Sequence, residues 1–296
     1  MNVIFIGDTH LKATSPISRL DDYPKSILDK LEYVAGMINP TKCNTMIILG
    51  DVFDSPVTSL PYLATVINTF RKIASKGIKV YTIVGNHDIK NNRMDSLESS
   101  ALGILMSTGY ISLAPKSLAI DNTVFRFYNY PECVENKSSN NYEVCVAHRY
   151  YNFGTANDSF TENDIRRLNY DAMVLGHLHV PYDTEIVGNT VLYRPGSLSR
   201  CTSEAYNKLR IPRVLVFNCV THNGIYINVP CKSADEIFVA QIESNNRQTL
   251  SMKDLINFIT TSYSSSDMNV REYFNSLEIP YACKERIAKY LDDVGA

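Results

Sequence analysis

The sequence is poor in the features that mark secreted, membrane-spanning or disulfide-rich proteins. Charged residues or glycine interrupt every apolar run before the roughly 18 residues that a membrane helix needs, and the opening stretch MNVIFIGDTH has neither the basic start nor the apolar segment of a signal peptide. The seven cysteines are widely spaced, odd in number and form no CxxC pair, which excludes a disulfide framework or a zinc ribbon. We therefore expect a cytoplasmic protein with reduced thiols.

An excess of positive charge is also absent. The formal net charge is −2, whereas nucleic-acid-binding domains usually carry a basic balance, so the overall charge does not favour a nucleic-acid partner. A local exception lies between residues 194 and 213. Five basic residues there face only Glu204, which gives a local charge of five minus one, or +4; they are Arg194, Arg200, Lys208, Arg210 and Arg213. This basic segment is either a solvated loop or a surface that binds phosphate groups.

The first half of the chain alternates predicted strands and helices. The apolar stretches NVIFIGD, TMIILGD and IKVYTIVGN predict three strands. Residues 27–39 and 59–77, which lie between them, have apolar side chains at helical spacing. Strands separated by helices of this length predict parallel βαβ units and an α/β fold. A further helix is predicted over residues 96–109 and a short one over residues 161–168.

The second half is predicted to contain more strands and then helices. The strands are expected within residues 123–131, 142–149, 171–177, 190–197, 212–220 and 224–230. We expect the last two to form a hairpin at the edge of a second sheet. Amphipathic stretches at residues 251–263 and 282–294 predict helices. The sequence therefore predicts two regions, residues 1–232 as the main domain and residues 233–296 as a helical C-terminal region.

Polar residues cluster where five of the predicted strands end. The five segments are IGDTH, LGDVFD, VGNHD, CVAHR and VLGHLH. They contain five of the six histidines; only His222 lies elsewhere, in the predicted turn of the last hairpin. Because function gathers at the carboxyl ends of strands in open α/β sheets, we expect these side chains to converge.

The residue types in these segments suit a pair of divalent metal ions. Carboxylate, imidazole and amide ligands without thiolate are typical of manganese, iron or catalytic zinc rather than structural zinc. Two ions that share one carboxylate clamp both ends of an in-line displacement at phosphorus. The predicted ligands are Asp8, His10 and His179 for one ion, Asn86, His148 and His177 for the other, and Asp51 for both.

His87 lies beside a predicted ligand but is not assigned to a metal ion. A metal-free imidazole next to a substrate suits a general acid that protonates the leaving group. Asp88 would orient this imidazole and favour its charged form, and Asp54 would either support the ligands or cap the next helix. Taken singly, each of these residues is more often a turn, cap or core residue. The ordered set of five segments is what favours a metal centre.

The five segments resemble the calcineurin-like metallophosphoesterase superfamily. Its pattern D-x-H, G-D-x-x-D, G-N-H-D/E, H and G-H-x-H is matched in full, over a stretch from residue 1 to about residue 230. The resemblance implies a four-layer α/β/β/α sandwich with a small helical C-terminal appendage. It also implies two-metal hydrolysis of phosphoesters.

Five shorter stretches, GDTHL, GDVFD, VGNHD, GHLH and PGSLSR, are similar to the SbcD-like DNA repair nuclease subunits, a group that includes phage recombination endonuclease subunits. This resemblance implies manganese-dependent exonuclease and endonuclease action on DNA, a homodimer and an SbcC-like SMC-type ATPase as partner. It gives residues 233–296 the role of a capping or partner-docking region. Arg149 and Arg200 are candidate phosphate contacts, with structural ion pairing as the alternative.

Two other functions remain open at this point. A phosphatase or phosphodiesterase acting on proteins or small molecules would use the first four segments equally well, and turnover of a phosphomonoester without action on DNA would reveal it. A non-catalytic DNA-binding scaffold would retain the fold with degenerate ligands. Every predicted ligand and the predicted acid are present, which favours an enzyme.

Overall fold

The structure is a computed structural model that describes residues 1–39, 41–152 and 158–239. Met1–Ala240 forms one compact unit. The predicted helices at 251–263 and 282–294 lie outside the described residues, so the boundary at residue 232 remains a prediction. Within the described part of the chain, no helix is long and apolar enough to cross a membrane.

The described strands form two six-stranded sheets and a two-stranded ribbon. In chain order the strands are β1 (Asn2–Ile6), β2 (Cys43–Ile48), β3 (Lys79–Thr82), β4 (Ser112–Leu113), β5 (Ser117–Ile120), β6 (Thr123–Tyr128), β7 (Tyr142–His148), β8 (Tyr150–Tyr151), β9 (Ser159–Phe160), β10 (Ala172–Gly176), β11 (Tyr182–Val187), β12 (Thr190–Arg194), β13 (Arg213–Asn218) and β14 (Asn223–Asn228). The first sheet has the order β14-β13-β1-β2-β3-β4 and the second β11-β12-β10-β7-β6-β5.

Local sequence signals explain where the helices begin. The Asp22 side chain accepts a hydrogen bond from the backbone N of Lys25 and so caps the first helix. Thr161 and Asp164 form a reciprocal capping box at the start of the fourth. The α-helices are α1 (Tyr23–Gly36), α2 (Leu60–Ser75), α3 (Ala101–Ser107), α4 (Glu162–Leu168), α5 (Ala205–Leu209) and α6 (Ala234–Ile237).

The single helix predicted over residues 96–109 is interrupted. A 3₁₀ segment covers Met94–Ser99, and Ser100 then adopts an extended conformation with φ −86° and ψ 166°. The Ser100 hydroxyl accepts a hydrogen bond from Gly103 N, which starts α3 afresh. Serine favours such caps because its side chain competes with the helical backbone bonds.

The last hairpin forms, but the prediction that it lies in the second sheet is wrong. β13 and β14 pair with each other, and β13 also pairs antiparallel with β1, from Asn2 opposite Asn218 to Phe5 opposite Leu215. The hairpin therefore extends the first sheet. The centre of the second sheet is parallel, because β6, β7, β10 and β12 run in the same direction. Alternating apolar residues predict that a strand exists but not which distant strand it joins.

Three buried apolar clusters, each between two adjacent layers of secondary structure, confirm the predicted four-layer sandwich. Ile4 and Ile6 on one face of β1 pack with α1, α2 and α3, while Val3 and Phe5 on its other face pack against the second sheet. A third cluster joins the outer face of the second sheet to Ile165 of α4 and its neighbours. The four layers are therefore, in order, the helices α1, α2 and α3, the first sheet, the second sheet, and helix α4. The buried interface between the sheets brings their strand ends side by side.

Candidate metal centre

The five predicted segments meet where β1, β2 and β3 of the first sheet and β7 and β10 of the second sheet end. Backbone bonds join the first two loops, because Thr9 N and His10 N both donate to Asp51 O, at 3.1 and 3.0 Å. A bond between the sheets joins the last loop to the first, from His177 N to Asp8 Oδ1 at 3.1 Å. The loops therefore form one connected framework before any side chain is considered.

The first group of potential ligands comprises Asp8, His10 and His179, whose candidate atoms all lie within 4.8 Å of one another. Asp8 Oδ2 is 3.4 Å from Nε2 of His179 and 3.9 Å from Nε2 of His10. The two Nε2 atoms are 2.9 Å apart. Asp8 is fully buried, and its Oδ2 has no hydrogen-bond partner among the described residues. Donor atoms thus converge around a carboxylate oxygen whose bonding is incomplete.

The second group comprises Asp51, His148 and His177, again within 4.8 Å. Asn86 joins it, since its Oδ1 lies 3.1 Å from Nε2 of His148. Nδ1 of His148 is 2.7 Å from the carbonyl oxygen of Leu49. Because a carbonyl can only accept, Nδ1 carries the proton and Nε2 is left as the ligand atom.

Asp51 lies between the two groups. Its Oδ2 is 3.3 Å from Nε2 of His148 and 3.9 Å from Nε2 of His10. Its Oδ1 accepts a hydrogen bond from the backbone N of His87 at 2.8 Å. One oxygen thus faces both metal positions while the other is fixed by the backbone, an arrangement that suits the bridging role.

Three of the predicted ligands lie in the left-handed backbone region, which is costly for residues other than glycine. They are His10 at φ 44°, Asp51 at φ 46° and His177 at φ 80°. Glycine supports this packing where the backbones are closest. A Cβ on Gly85 would lie 2.1 Å from Oδ1 of Asp51, so no larger residue fits there without movement. The loops that contain these three ligands therefore adopt strained backbone conformations, and those conformations bring the ligand side chains together.

The electrostatics of the centre favour a cation. Against the effect of burial, the negative charges of Asp51 and Asp8 raise the pKa of His148 to about 10. Burial lowers the pKa of His10 and of His177 to about 4, so both are in the neutral form that binds metals. Nitrogen and oxygen donors, an unsatisfied buried carboxylate oxygen and a negative potential together fit two divalent ions.

His87 is solvent-accessible at the mouth of the centre. Its ring meets that of His10 edge-on, with centroids 4.9 Å apart. Its Nδ1 is 2.9 Å from the carbonyl oxygen of Asp54, so Nδ1 donates and Nε2 is the ring nitrogen available for proton transfer. The Asp54 carboxylate lies 3.6 Å from Nδ1 of His10 and 2.7 Å from Nζ of Lys12. Asp54 therefore contacts His87 through its backbone carbonyl and His10 through its carboxylate.

The carboxyl group of Asp88 bonds to backbone N–H groups, whereas the sequence predicted that it orients the imidazole of His87. Its buried carboxyl group accepts hydrogen bonds from Phe53 N at 3.1 Å and Gly85 N at 2.9 Å. Burial and then the charge of Asp51 raise its pKa to about 8. The side chain joins the second loop to the third, and the orienting bond to the ring of His87 comes from the Asp54 carbonyl instead.

Two residues that contact predicted ligands, Asp158 and Ser197, were not predicted from the sequence. Asp158 Oδ2 lies 2.9 Å from Nε2 of His177, the nitrogen that faces the second metal position. Asp158 follows no long strand, so no signal marked it. Ser197 donates from its hydroxyl to the Asp8 carbonyl at 2.8 Å and from its backbone N to the His179 carbonyl at 3.0 Å. The motif PGSLSR contains this serine, and its role is to hold the backbone of two predicted ligands.

The two candidate phosphate-binding arginines have different environments. Arg149 is partly exposed; its Nη2 donates to the carbonyls of Pro131 and Glu132, both at 2.9 Å, and its guanidinium lies 5.8 Å from the ring centroid of Tyr130. Arg200 is only 2% exposed, and its guanidinium donates to the Lys232 carbonyl. Arg149 therefore remains accessible to substrate, whereas Arg200 lies in the protein interior.

Comparison with known proteins identifies the family. The model of the calcineurin-like phosphoesterase family matches residues 1–181. The chain belongs to this family. All five segments lie wholly within the match, since the last of them, VLGHLH, ends at residue 179. Membership makes the chain a metal-dependent phosphoester hydrolase, and the converging ligands fit that chemistry.

Other comparisons do not refine the family assignment. No curated protein matches the sequence. A crystal structure of a hypothetical protein from Pyrococcus horikoshii OT3 is similar at 12% identity and a TM-score of 0.40, covering 88% of this chain and 93% of that one. A likeness of this degree supports no argument about substrate.

Proposed function

We propose that this calcineurin-like phosphoesterase is a nuclease of the SbcD-like type, which hydrolyses phosphodiester bonds in DNA with two divalent ions, in the cell manganese. The observation that carries the proposal is the convergence of seven potential ligand side chains beside an accessible histidine, His87, which lies within reach of His10 and Asp51. A centre of this kind holds and polarises a phosphodiester, and it has a separate proton donor for the leaving oxygen.

The chain's own residues have distinct parts in this reaction. Two bound divalent ions would neutralise charge on the phosphate oxygens and supply an activated nucleophile. Asp51, whose Oδ2 lies between His148 of one ligand group and His10 of the other, would help to hold both ions. His87, with Nδ1 donating to the Asp54 carbonyl, would present a protonated Nε2 to the departing sugar oxygen. Arg149, at the accessible edge, would contact a neighbouring phosphate.

The choice of DNA as substrate is supported by the resemblance of the stretches GDTHL, GDVFD, VGNHD, GHLH and PGSLSR to SbcD-like subunits. Within PGSLSR, Ser197 holds the backbones of Asp8 and His179, so the stretch belongs to the metal centre. The same resemblance supports a homodimer and an SbcC-like ATPase as partner. These assemblies are part of the proposal.

The proposal is tested by incubating purified protein with a linear DNA duplex labelled at one end. Parallel reactions contain manganese, magnesium or EDTA. An Asp51→Asn variant is the matched control, since it keeps the shape of the side chain but removes the charge between the two metal positions. We expect manganese-dependent loss of label that is absent with EDTA and abolished in the variant.

Two small substrates make the result specific. An aryl phosphodiester reports whether the centre is active, and an aryl phosphomonoester reports a phosphatase. Hydrolysis of the diester and of DNA supports the nuclease. Hydrolysis of the monoester without action on DNA, with or without added ATPase partner, would overturn the proposal in favour of a phosphatase.

A further inference from the structure

A cavity with a volume of about 560 Å³, separate from the metal centre, lies between residues 208–211 and residues 228–234. It shares no lining residue with the metal centre. Four of its lining residues are basic, Arg200, Lys208, Arg210 and Lys232, and none is acidic. The nearest acidic side chains in sequence follow on α6, where Glu236 is bonded to the Ser233 hydroxyl and backbone. The wall of this cavity is therefore positively charged.

The positive charge continues into the protein behind the cavity. Arg19 and Lys30 are each 7% exposed. Arg19 has a carboxylate partner, Asp21, at 2.7 Å. In the described part of the chain, no ion pair is formed by Lys30, Arg200 or Arg210. Burial and then the charges of Arg200 and Arg19 lower the pKa of Lys30 to about 8. Three carboxylates, those of Asp21, Asp22 and Asp29, line a neighbouring cavity together with Lys30 and Lys232, and Asp21 forms the ion pair with Arg19. The buried cations Lys30, Arg200 and Arg19 repel one another.

Arg200 has unused donor capacity on this wall. Its guanidinium donates to the Lys232 carbonyl, but its buried Nε has no hydrogen-bond partner among the described residues. A buried donor without a partner is costly, and an anion within reach would satisfy it. The cavity therefore combines net charge with a lining residue, Arg200, that has an unsatisfied donor. Nε of Arg194 and of Arg213, which do not line this cavity, is unsatisfied as well.

The rim of the cavity is apolar. Leu209 is 85% exposed and Ile211 is 53% exposed, and both line the cavity beside the basic residues. The volume is in the range of small-molecule sites. An anion attached to a flat apolar body, with the anion on the arginine and lysines and the body on Leu209 and Ile211, would contact both parts of the wall.

We propose that this cavity binds the phosphate group of a nucleotide-sized ligand. Phosphate suits the wall because it accepts several charge-assisted hydrogen bonds at once from arginine and lysine. The site is also connected to the metal centre. Arg210, on the cavity wall, donates to the carbonyls of Ser197 and Ser199, and Ser197 donates to the Asp8 carbonyl. The inference does not depend on DNA being the substrate of the metal centre.

The test is isothermal titration calorimetry on the full-length chain at constant ionic strength. Metal ions are first removed by chelation and dialysis, so that the metal centre does not bind the probe. The probes are inorganic phosphate and a deoxynucleoside monophosphate. We expect one saturable site per chain, with the nucleotide binding more tightly than phosphate because its base covers Leu209 and Ile211.

A Lys208→Gln/Lys232→Gln variant removes two cations from the wall, and we expect affinity to fall by at least roughly ten-fold. The control is Lys79→Gln/Lys116→Gln, which makes the same change in net charge at exposed positions away from the cavity. Lys232→Gln alone, at an exposed position, is the second variant should the double substitution impair folding.

Absence of saturable binding to the metal-free protein would overturn the proposal, as would equal loss of affinity in the Lys79→Gln/Lys116→Gln control. Competition by a DNA duplex without terminal phosphates would assign the site to backbone phosphates of DNA. Competition by free nucleotides alone would assign it to a small ligand. Either source supports a phosphate site.

Discussion

The metal centre and the basic segment at residues 194–213 both bury charged side chains, but they satisfy the polar atoms of those side chains to different degrees. In the metal centre, Asp8 Oδ2 and His10 Nδ1 are buried, and neither has a hydrogen-bond partner in the part of the chain that the structure describes. In the basic segment, Arg210 is equally enclosed, but its guanidinium donates to Ser197, Ser199 and Asn207. Unsatisfied buried atoms mark a place for a ligand, whereas satisfied ones stabilise the scaffold. Arg194, Arg200 and Arg213 lie between these cases, because each has a bonded guanidinium nitrogen and a buried Nε without a partner among the described residues.

The largest expected effect is on the chemistry at the metal centre. We expect His87→Gln to lower kcat by about 10²–10⁴-fold, the range for loss of a general acid, with little change in KM. Metal binding, followed by calorimetry, should be unchanged because His87 is not a predicted ligand. His222→Gln, at the one histidine outside the strand-end segments, is the control. Equal loss of metal affinity and activity in His87→Gln would make His87 a ligand instead.

A substitution in the basic segment should instead affect stability. We expect Arg210→Met to lower the free energy of unfolding by about 2 kcal/mol, because the buried Ser197 carbonyl loses its donor. Urea denaturation measures this change. Arg210→Lys should recover part of it, and Arg167→Met, at an exposed ion pair on α4, should cost less than about 1 kcal/mol. An unaltered unfolding curve for Arg210→Met would show that Arg210 does not stabilise the scaffold.

Lys30 tests the cost of buried positive charge. Its pKa is lowered from 10.5 to about 8 in the folded chain, so the unfolded chain holds the proton more tightly. The penalty is complete below pH 8 and is relieved as the pH rises towards 10.5. We expect Lys30→Met to add about 2–3 kcal/mol of stability at pH 7 and much less near pH 10. A gain that is the same at both pH values would contradict this account.

Arg149 gives the smallest expected effect and the most direct contrast with Arg200. We expect Arg149→Gln to raise the KM for DNA by about three- to ten-fold, more at low salt than at high salt, as for a lost phosphate contact. Cleavage of an aryl phosphodiester should not change. Arg200→Gln should raise the KM for DNA less than Arg149→Gln does, because Arg200 is only 2% exposed. The comparison fails if the two variants change the KM equally.

Much of the fold was predictable because its signals are local. Apolar runs and helical spacing correctly indicated β1, β2, β3, α1 and α2, and parallel βαβ units follow from their alternation. The signal failed at Ser100, where a side-chain cap interrupts a helix that spacing alone makes continuous. It failed again at β13, whose apolar pattern fits either sheet.

The convergence of the strand-end segments was predictable from the sequence, but the contacts within the candidate site were not. All seven predicted ligands come from strand ends, and the structure brings these together. The bond from the Asp54 carbonyl to His87 and the contact of Asp158 with His177 depend on the paths of loops. Loop paths are fixed by long-range packing, which a list of residues does not contain.

The sequence by itself determined the family, the order of the first βαβ units and the residue types at the strand ends. These follow from local periodicity and from residue chemistry, both of which act over a few neighbouring positions. The tertiary structure alone decided that β13 joins the first sheet, that Asp51 Oδ2 faces both metal positions, and that Arg200 is buried while Arg149 is accessible. Each of these depends on contacts between residues far apart in the chain, where packing of the two sheets fixes distances and burial.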